Sequence, residues 1–306
     1  MKQEFYSNGK LLITGEYLVL DGASALAIPT SYGQWLFIET IEESKIYWNS
    51  IDEEGETWYE SQFLIEDIDK LQLIGIQNDK SITDRLIQIL SSAKQLNPDF
   101  LKEQTGYRIT TKLSFPRNWG LGTSSTLINN IANWAKVDAF KLLEKTFGGS
   151  GYDIAAAQYN HPISYSLSRG ISSVKEVKLP WSFTDQLFFI HLNKKQNSRE
   201  GISHYKSQNK NKSHAIGEIS ELTAKIISCP TIQEFELLIT QHENTISKFI
   251  NLKTVKKLLF DNYSGAIKSL GAWGGDFILA TGRLDDMEYF RKKGFGTIIP
   301  FKDMIK

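Results

Sequence analysis

The pattern of apolar and polar positions in the first 50 residues predicts a β-rich beginning of the chain. Short apolar runs end at turn residues such as Asp21-Gly22, as strands do. The predicted strands are 10–14, 17–20, 24–28, 34–39 and 45–48, of which the last two are predicted to form a hairpin. The acidic segment 51–67 predicts a solvated loop.

Helical periodicity begins after this region. Apolar residues at three- and four-residue spacing predict helices at 82–96, 126–136, 138–146, 154–159, 214–228, 231–249 and 285–293. Strands are predicted between them at 107–113, 186–192, 277–281 and 297–301. The pattern resets near residue 181. We therefore predict an α+β chain with two domains, 1–180 and 181–306.

The charge balance argues against some classes of function. The 306 residues include 35 basic and 35 acidic side chains, so the formal net charge is zero. Proteins that bind nucleic acid through bulk electrostatics usually carry a basic excess, so no nucleic-acid partner is expected. A content of 41% hydrophobic and 12% aromatic residues is enough for a buried core, which argues against disorder.

Membrane and disulfide signals are not seen in the sequence. No apolar stretch approaches the roughly 18 residues of a membrane span, and the N-terminal segment does not resemble a signal peptide. Cys229 is the only cysteine, so an internal disulfide and a cysteine zinc site are excluded. We interpret Cys229 as a small packed side chain. The expectation is a cytoplasmic monomer or homodimer with a small-molecule substrate and no membrane partner.

A segment rich in glycine and hydroxyl groups, 116–125, is the main candidate for chemistry. Gly120 and Gly122 allow close backbone approach, and Thr123, Ser124 and Ser125 lead into a predicted helix. The amides and the dipole of a helix N-terminus favour an anion, and hydroxyl groups can bind phosphate or magnesium. No Gly-Lys-Ser/Thr follows, so this is not a Walker A loop. The alternative is an ordinary glycine turn with hydroxyl caps.

Three charged residues lie beside other glycines. Asp153 follows the Gly148–Gly151 loop near a predicted helix start, where it either caps the helix or faces an acceptor hydroxyl. A helix N-terminus stabilises an ionised carboxylate, so Asp153 would orient a hydroxyl better than deprotonate it. Lys10 considered alone would be a surface charge. Glu16 interrupts two apolar runs, so it is either solvent-facing or buried with a partner.

Four segments together resemble the GHMP family of small-molecule kinases, named for galactokinase, homoserine kinase, mevalonate kinase and phosphomevalonate kinase. Residues 9–17 (GKLLITGEY) resemble its first motif, and residues 116–125 (PRNWGLGTSS) resemble its Pro-x3-Gly-Leu-Gly-Ser-Ser-Ala motif. Residues 149–153 (GSGYD) resemble its Gly-Ser-Gly-x-Asp segment, and residues 271–276 (GAWGGD) its third, glycine-rich motif. The four occur in the family's order and span nearly the whole chain.

The resemblance implies a fold, cofactors and roles for individual residues. The fold implied is a ribosomal-protein-S5-like N-terminal domain and a ferredoxin-like C-terminal domain, with the active site in the cleft between them. ATP and Mg²⁺ would be the cofactors. Lys10 would stabilise charge on the acceptor hydroxyl or the transferring phosphoryl group, and Asp153 would orient or deprotonate that hydroxyl.

The remaining site residues implied by the resemblance fall into two groups. The ATP phosphates would be bound by Pro116, Gly120, Leu121, Gly122, Thr123, Ser124 and Ser125, with Ser124 also a magnesium ligand. The acceptor would be contacted by Glu16, Ser150, Gly151, Ser198, Arg199, Gly274 and Gly275.

Within the family, the motifs resemble phosphomevalonate kinase most, so the implied acceptor is phosphomevalonate or a close analogue. Lys194, Lys195 and Arg199 lie next to Ser198 and either bind a phosphorylated acceptor or form a solvated loop. Mevalonate kinase and a non-catalytic nucleotide-binding protein are the alternatives. Trp273 stands where the third motif usually has glycine, so the third loop is expected to differ in shape.

Overall fold

The computed structural model describes residues 2–70, 82–102, 105–196, 198–208 and 210–306. Contacts within the chain define two compact units. The first unit comprises Met1–Gly9, Tyr32–Arg117 and Gly122–Gln158, and the second comprises Lys10–Ser31, Asn118–Leu121 and Tyr159–Lys306. Each unit therefore gathers segments that are distant in sequence. The predicted domain ranges, 1–180 and 181–306, stay a prediction.

The strands of the described chain follow the predicted β-rich beginning and continue to the C-terminus. They are β1 (Lys2–Leu12), β2 (Ala25–Ile41), β3 (Lys45–Ile51), β4 (Thr57–Leu64), β5 (Gly106–Leu113), β6 (Ile163–Ser168), β7 (Ile171–Glu176), β8 (Leu187–His191), β9 (Ile267–Ser269), β10 (Phe277–Thr281) and β11 (Ile298–Pro300). Strands β4, β6, β7 and β9 have no counterpart among the sequence predictions.

The α-helices are α1 (Ile65–Lys70), α2 (Ile82–Leu96), α3 (Thr123–Ala135), α4 (Ala139–Thr146), α5 (Tyr152–Gln158), α6 (Ser198–Lys206), α7 (Ser213–Ser228), α8 (Ile232–Ile250), α9 (Val255–Leu259), α10 (Glu288–Lys292) and α11 (Phe301–Met304). Short 3₁₀ helices occur at Leu18–Asp21, Thr184–Gln186 and Leu284–Met287. Among the described residues, no helix has the length and apolar character that crossing a membrane requires.

The first unit is a sheet covered by helices. Its strands lie in the order β4-β3-β5-β2, with β3 parallel to β5 and the other neighbours antiparallel. Helices α2, α3 and α4 pack against one another, and α5 packs on α3. The apolar faces of these helices and of the sheet form one buried cluster, which includes Trp48, Leu90, Ile109 and Ile128. This core fixes the helix starts that carry the predicted phosphate and acceptor residues.

The second unit contains a smaller antiparallel sheet, with the order β11-β8-β10-β9. Every residue of β8 and β10 is buried, and Phe188, Ile190 and Ile278 belong to its core cluster. In the same unit, the beginning of β2 pairs with β6, and β6 pairs with β7. Cys229 is buried, and burial raises the pKa of its thiol to about 11, which confirms it as a packed side chain.

Three predictions about the N-terminal region are wrong. The segments 34–39 and 45–48 do not form a hairpin, because β5 lies between β2 and β3. The connection passes over Gly106, where an added Cβ would lie 1.7 Å from the Glu43 carbonyl oxygen. The segment 51–67 is not a loop but contains β4 and the beginning of α1.

The third error concerns residues 17–20, which begin a 3₁₀ turn instead of a strand. Tyr17 has a φ of 62°, and Gly15 before it has a φ of 91°. A Cβ on Gly15 would lie 2.6 Å from the Cβ of Ala25, so close packing on β2 turns the chain there. A short apolar run does not by itself distinguish a strand from a buried turn.

Candidate functional site

Lys10 lies at the glycine loop of the second unit. Its backbone N–H donates to the Leu121 carbonyl at 2.9 Å, and its ammonium group donates to the Gly120 carbonyl at 2.9 Å. Gly120 has a φ of 67°, in the left-handed region that favours glycine. The structure thus brings Lys10 together with Gly120 and Leu121, two of the residues predicted to bind phosphate.

The first unit contains the other end of the predicted phosphate segment, at the start of α3. The N-cap of α3 is Gly122, with a φ of 98° and no side-chain cap, and the Thr126 N–H makes a helical bond to the Gly122 carbonyl at 2.9 Å. The N–H groups of the residues before Thr126 come ahead of the first helical hydrogen bond, so they have no partner within the helix. This helix start therefore has the donors and the dipole that suit an anion.

The three hydroxyl residues of this turn differ in exposure. Ser124 is exposed and Thr123 is partly exposed, whereas Ser125 is only 2% exposed. The Ser125 hydroxyl donates to the Gly122 carbonyl at 2.9 Å, so it supports the turn. Pro116, at the other end of the segment, is partly buried next to the buried Phe115. Ser124 is the hydroxyl best exposed for binding a phosphate or a metal ion.

Asp153 is the second residue of α5 in the same unit. It follows Gly151, which has a φ of 86°, and Ser150, which is buried. One carboxylate oxygen, Oδ1, accepts from the Ile154 N–H at 3.1 Å. Helix α5 is tied to α3 by the bond from Gln158 Nε2 to Asn129 Oδ1 at 2.9 Å. Asp153 and Ser124 therefore lie in the first turns of two helices that pack against each other.

The third glycine loop lies in the second unit. Trp273 is buried there, its indole N–H donates to the Lys253 carbonyl at 3.1 Å, and its backbone N–H donates to the Tyr17 hydroxyl at 2.9 Å. A Cβ on Gly275 would lie 2.5 Å from the Cβ of Gln196, whereas a Cβ on Gly274 would meet nothing within 4 Å. Trp273 thus anchors the loop, Gly275 permits close packing, and Gly274 (φ 87°) serves the turn.

Asp276 ends this loop and contacts Gly120. A Cβ added to Gly120 would lie 2.3 Å from the Asp276 carboxyl carbon, so the carboxyl group packs directly on that glycine. Burial raises the pKa of Asp276 above its ordinary value. The Gln196 N–H, at 3.3 Å from Oδ1, and the charges of Lys10, His191 and Lys195 act to lower that pKa. No role for Asp276 follows from the sequence alone.

Glu16 is buried with a partner, which was one of its two predicted alternatives. The Lys268 ammonium group donates to Glu16 Oε1 and lies 3.3 Å from Glu243 Oε2, and all three side chains are buried. Glu243 in turn accepts from the Ser269 hydroxyl at 2.7 Å. Lys268 is not among the predicted site residues, and its only signal in the sequence is a lysine within an apolar segment. The predicted contact of Glu16 with an acceptor stays a prediction.

His242 completes this buried cluster. Its Nε2 accepts from the Gly15 N–H at 3.0 Å and lies 3.6 Å from Glu16 Oε2. Burial, with the charge of Lys268, lowers the pKa of His242 well below its ordinary value, so the ring is neutral. Burial raises the pKa of Glu16 to about 7, although Lys268 acts to lower it. Within the described chain, Glu16 Oε2 and His242 Nδ1 have no hydrogen-bond partner.

The remaining predicted acceptor residues lie on the exterior of the second unit. Ser198 and Arg199 are the first two residues of α6, and both are exposed. Lys194 and Lys195 precede them and are exposed as well. The Lys194 carbonyl accepts from the Asp276 N–H at 2.8 Å, which connects this segment to the third glycine loop. The cationic segment and the glycine loop are thus neighbours within one unit.

Comparisons with known proteins bear on the fold. No protein-family model matches the chain, and no curated protein matches its sequence. Among solved structures, it is similar to the mevalonate kinase of Methanococcus jannaschii, with 16% identity and a TM-score of 0.71 over 98% of this chain and 97% of that chain.

Two other solved structures extend this likeness. The phosphomevalonate kinase of Streptococcus pneumoniae, in complex with phosphomevalonate and AMPPNP, matches with 16% identity and a TM-score of 0.65 over 95% of both chains. The galactokinase of Lactococcus lactis, complexed with galactose, matches with 12% identity and a TM-score of 0.68 over 95% of this chain and 88% of that chain. The chain therefore has the fold of these kinases, which confirms the predicted α+β fold class.

Proposed function

We propose that this protein is an ATP-dependent kinase that transfers the γ-phosphoryl group to phosphomevalonate or a close analogue. The observation that supports this most is the glycine segment 116–125. In that segment Gly122 caps α3 without a side chain, and the Lys10 ammonium group is bound at Gly120. Free helix amides and a bound lysine are what a loop needs to hold a polyphosphate.

The residues at the start of α3 fit ATP with magnesium. Ser124 offers an exposed hydroxyl in the first turn of the helix. Among the described residues, no group of three or more His, Cys, Asp or Glu side chains is arranged to hold a metal ion. Magnesium that binds together with nucleotide phosphates needs only one or two protein ligands. Bound in this way, it would neutralise charge on the phosphates.

Lys10 and Asp153 have complementary roles in the proposed transfer. Asp153 orients the acceptor group, whose nucleophilic oxygen forms the new bond to the γ-phosphorus as the bond to the β–γ bridging oxygen breaks and ADP leaves. In phosphomevalonate this nucleophile is a phosphate oxygen, whereas in mevalonate it is a hydroxyl oxygen; any proton on it passes to the Asp153 carboxylate or to water. Lys10 stabilises the negative charge on the transferring group. A loose transition state of this kind depends mainly on such positioning and charge stabilisation.

The cationic segment beside α6 supports a phosphorylated acceptor. Lys194, Lys195 and Arg199 are exposed around Ser198, and cations of this kind bind phosphate groups strongly. The likeness to a phosphomevalonate kinase bound to phosphomevalonate agrees with this acceptor. Mevalonate kinase is the second candidate, favoured by the TM-score of 0.71 to the Methanococcus jannaschii enzyme.

An assay that couples ADP release to an optical signal tests the proposal directly. The purified chain, with ATP and Mg²⁺, is supplied in turn with mevalonate, 5-phosphomevalonate, homoserine and galactose. We expect turnover with 5-phosphomevalonate. Turnover with mevalonate alone would favour the second candidate, and no turnover with any acceptor would contradict the kinase assignment.

Asp153→Asn should abolish most of this turnover while leaving ATP binding intact. The amide keeps the shape of the side chain but loses the negative charge that orients the acceptor group and the capacity to take its proton, and loss of such assistance reduces rates by about 100- to 10,000-fold. Rates come from the coupled assay, and ATP affinity comes from calorimetry. Asp185→Asn is the matched control, because Asp185 is an exposed aspartate in the first turn of a 3₁₀ helix. Full activity in Asp153→Asn would exclude the proposed role.

A further inference from the structure

Asp276 and Lys10 meet at a single glycine of the second unit. The Lys10 ammonium group donates to the Gly120 carbonyl at 2.9 Å, and the Asp276 carboxyl group packs where a side chain of residue 120 would begin. The charge of Lys10 also acts to lower the pKa of the Asp276 carboxyl group. A carboxylate and an ammonium group are therefore held on the same loop residue.

Neighbouring contacts hold the loop residues around Gly120 in place. Trp119 packs edge-on against Phe277, the residue after Asp276, with ring centroids 5.4 Å apart. The Asn118 carbonyl oxygen forms a hydrogen bond with Nε2 of His191 at 3.2 Å. The contact between Gly120 and Asp276 is thus supported by the packing of the residues next to each of them.

We propose that the Asp276 carboxylate holds the Lys10 ammonium group at Gly120, so that Asp276 is a positioning residue for phosphoryl transfer. This inference rests on the function proposed above. A lysine side chain has several rotatable bonds and no preferred geometry of its own, so its ammonium group needs a fixed partner of opposite charge. The Gly120 carbonyl supplies one acceptor, and Asp276 supplies the charge.

The alternative is that Asp276 only shapes the third glycine loop. Asp276 has a φ of 51°, and its Oδ1 accepts from the Gln196 N–H at 3.3 Å. Asparagine tolerates this left-handed conformation as well as aspartate does, and its amide oxygen can accept the same bond. Asp276→Asn therefore keeps the shaping role and removes only the charge, which separates the two explanations.

The steady-state kinetics of Asp276→Asn test the proposal. We expect kcat to fall by about 10- to 100-fold with little change in the KM for ATP, because a misplacement on the order of 1 Å can reduce a rate by about 100-fold. Asp303→Asn, at an exposed aspartate of the same unit, is the control. Unchanged kcat in Asp276→Asn would overturn the proposal, since a loop of normal shape would then suffice.

The pH profile gives a readout that a shaping role would not change. The groups that face Asp276 are Lys10 from β1, His191 from β8, Lys195 and the Gln196 N–H. Burial raises the pKa of Asp276, so acidification neutralises it and should lower kcat/KM in the wild type. Asp276→Asn should lose this acid limb. If His191→Gln loses the limb and Asp276→Asn retains it, the titrating group is His191 and the proposal is wrong.

A double-mutant cycle tests the pairing of Asp276 with Lys10 separately from the proposed kinase function. The free energy of unfolding is measured in urea for the wild type, Lys10→Met, Asp276→Asn and the double variant. We expect the effects of the single substitutions not to add. Additive effects would overturn the pairing whether or not the chain is a kinase. If the effects are not additive but the wild-type protein shows no kinase turnover, the pairing stands, and the role in phosphoryl transfer is overturned together with the proposed function.

Discussion

Two opposing effects act on the buried Glu16 carboxyl group. It is 1% exposed, pairs with Lys268, and lies near both Glu243 and His242. Burial favours its neutral form, and the Lys268 ammonium group favours its ionised form. Because the pKa remains near 7, this carboxyl group titrates within the range in which enzymes are assayed.

Glu16→Gln should change how the free energy of unfolding depends on pH. The folded pKa of about 7 lies above the ordinary value of 4.5. The folded state therefore binds the proton more tightly, and this contribution is fully present below the ordinary value and is lost as pH rises through about 7. Each unit of difference corresponds to about 1.4 kcal/mol. Urea unfolding from pH 4.5 to 8 should show the wild type losing stability relative to Glu16→Gln as pH rises.

His242 acts in the opposite direction over part of this range. Its folded pKa is lowered, so its contribution is present above the ordinary value of 6.5 and is lost as pH falls. This contribution is present in both proteins and largely cancels in the difference between them. Glu4→Gln, at an exposed glutamate, is the control. Parallel stability curves for the wild type and Glu16→Gln would contradict the raised pKa.

At the level of secondary-structure elements, some glycines of the loops are needed for their backbone conformation alone, and others also because a neighbouring group leaves no room for a side chain. Gly120 and Gly148 have nearly the same φ, 67° and 65°. A Cβ on Gly148 would meet nothing within 4 Å, whereas a Cβ on Gly120 would collide with Asp276. Substitution of the two glycines therefore distinguishes the cost of backbone strain, which both share, from the cost of a steric collision, which only Gly120 has.

Gly120→Ala should destabilise the protein more than Gly148→Ala does. Left-handed backbone costs a non-glycine residue about 1–2 kcal/mol at either position. The collision with Asp276 adds about 1–3 kcal/mol at Gly120 alone, as overpacking does in a core. Urea unfolding of the two variants measures the difference. Equal destabilisation would show that the Gly120–Asp276 contact relaxes without a measurable penalty.

The boundaries of some helices were predicted closely from the sequence. The predicted helix at 82–96 coincides with α2, and the predicted start at 138 is Asp138, which caps α4 by accepting from the Phe140 N–H at 2.8 Å. Periodicity and caps are local signals, which explains this success. Strand pairing is not local, so the insertion of β5 between β2 and β3 was not foreseen.

At the scale of the whole molecule, the predicted site residues belong to both compact units. Ser124 and Asp153 lie in the first unit, and Lys10, Gly120 and the third glycine loop lie in the second. Each unit has its own core cluster. The zero net charge of the chain conceals a local group of cations at Lys194, Lys195 and Arg199. Overall charge thus gave no indication of the charge of the proposed acceptor.

The fold class and the positions of the glycine loops could be predicted from the amino-acid sequence alone. Turns that need positive φ select glycine, as at Gly122 and Gly151, and helices select a periodic apolar face. These preferences act over a few residues, so they can be recognised in a single chain.

The partners of the buried charged groups, in contrast, are apparent only in the folded chain. Glu16 pairs with Lys268, which is 252 positions away, and Asp276 packs on Gly120. Nothing in the local pattern identifies such partners, because burial in a shared core, not neighbouring sequence, brings them together. The same burial sets their protonation, raising the pKa of Glu16 and lowering that of His242.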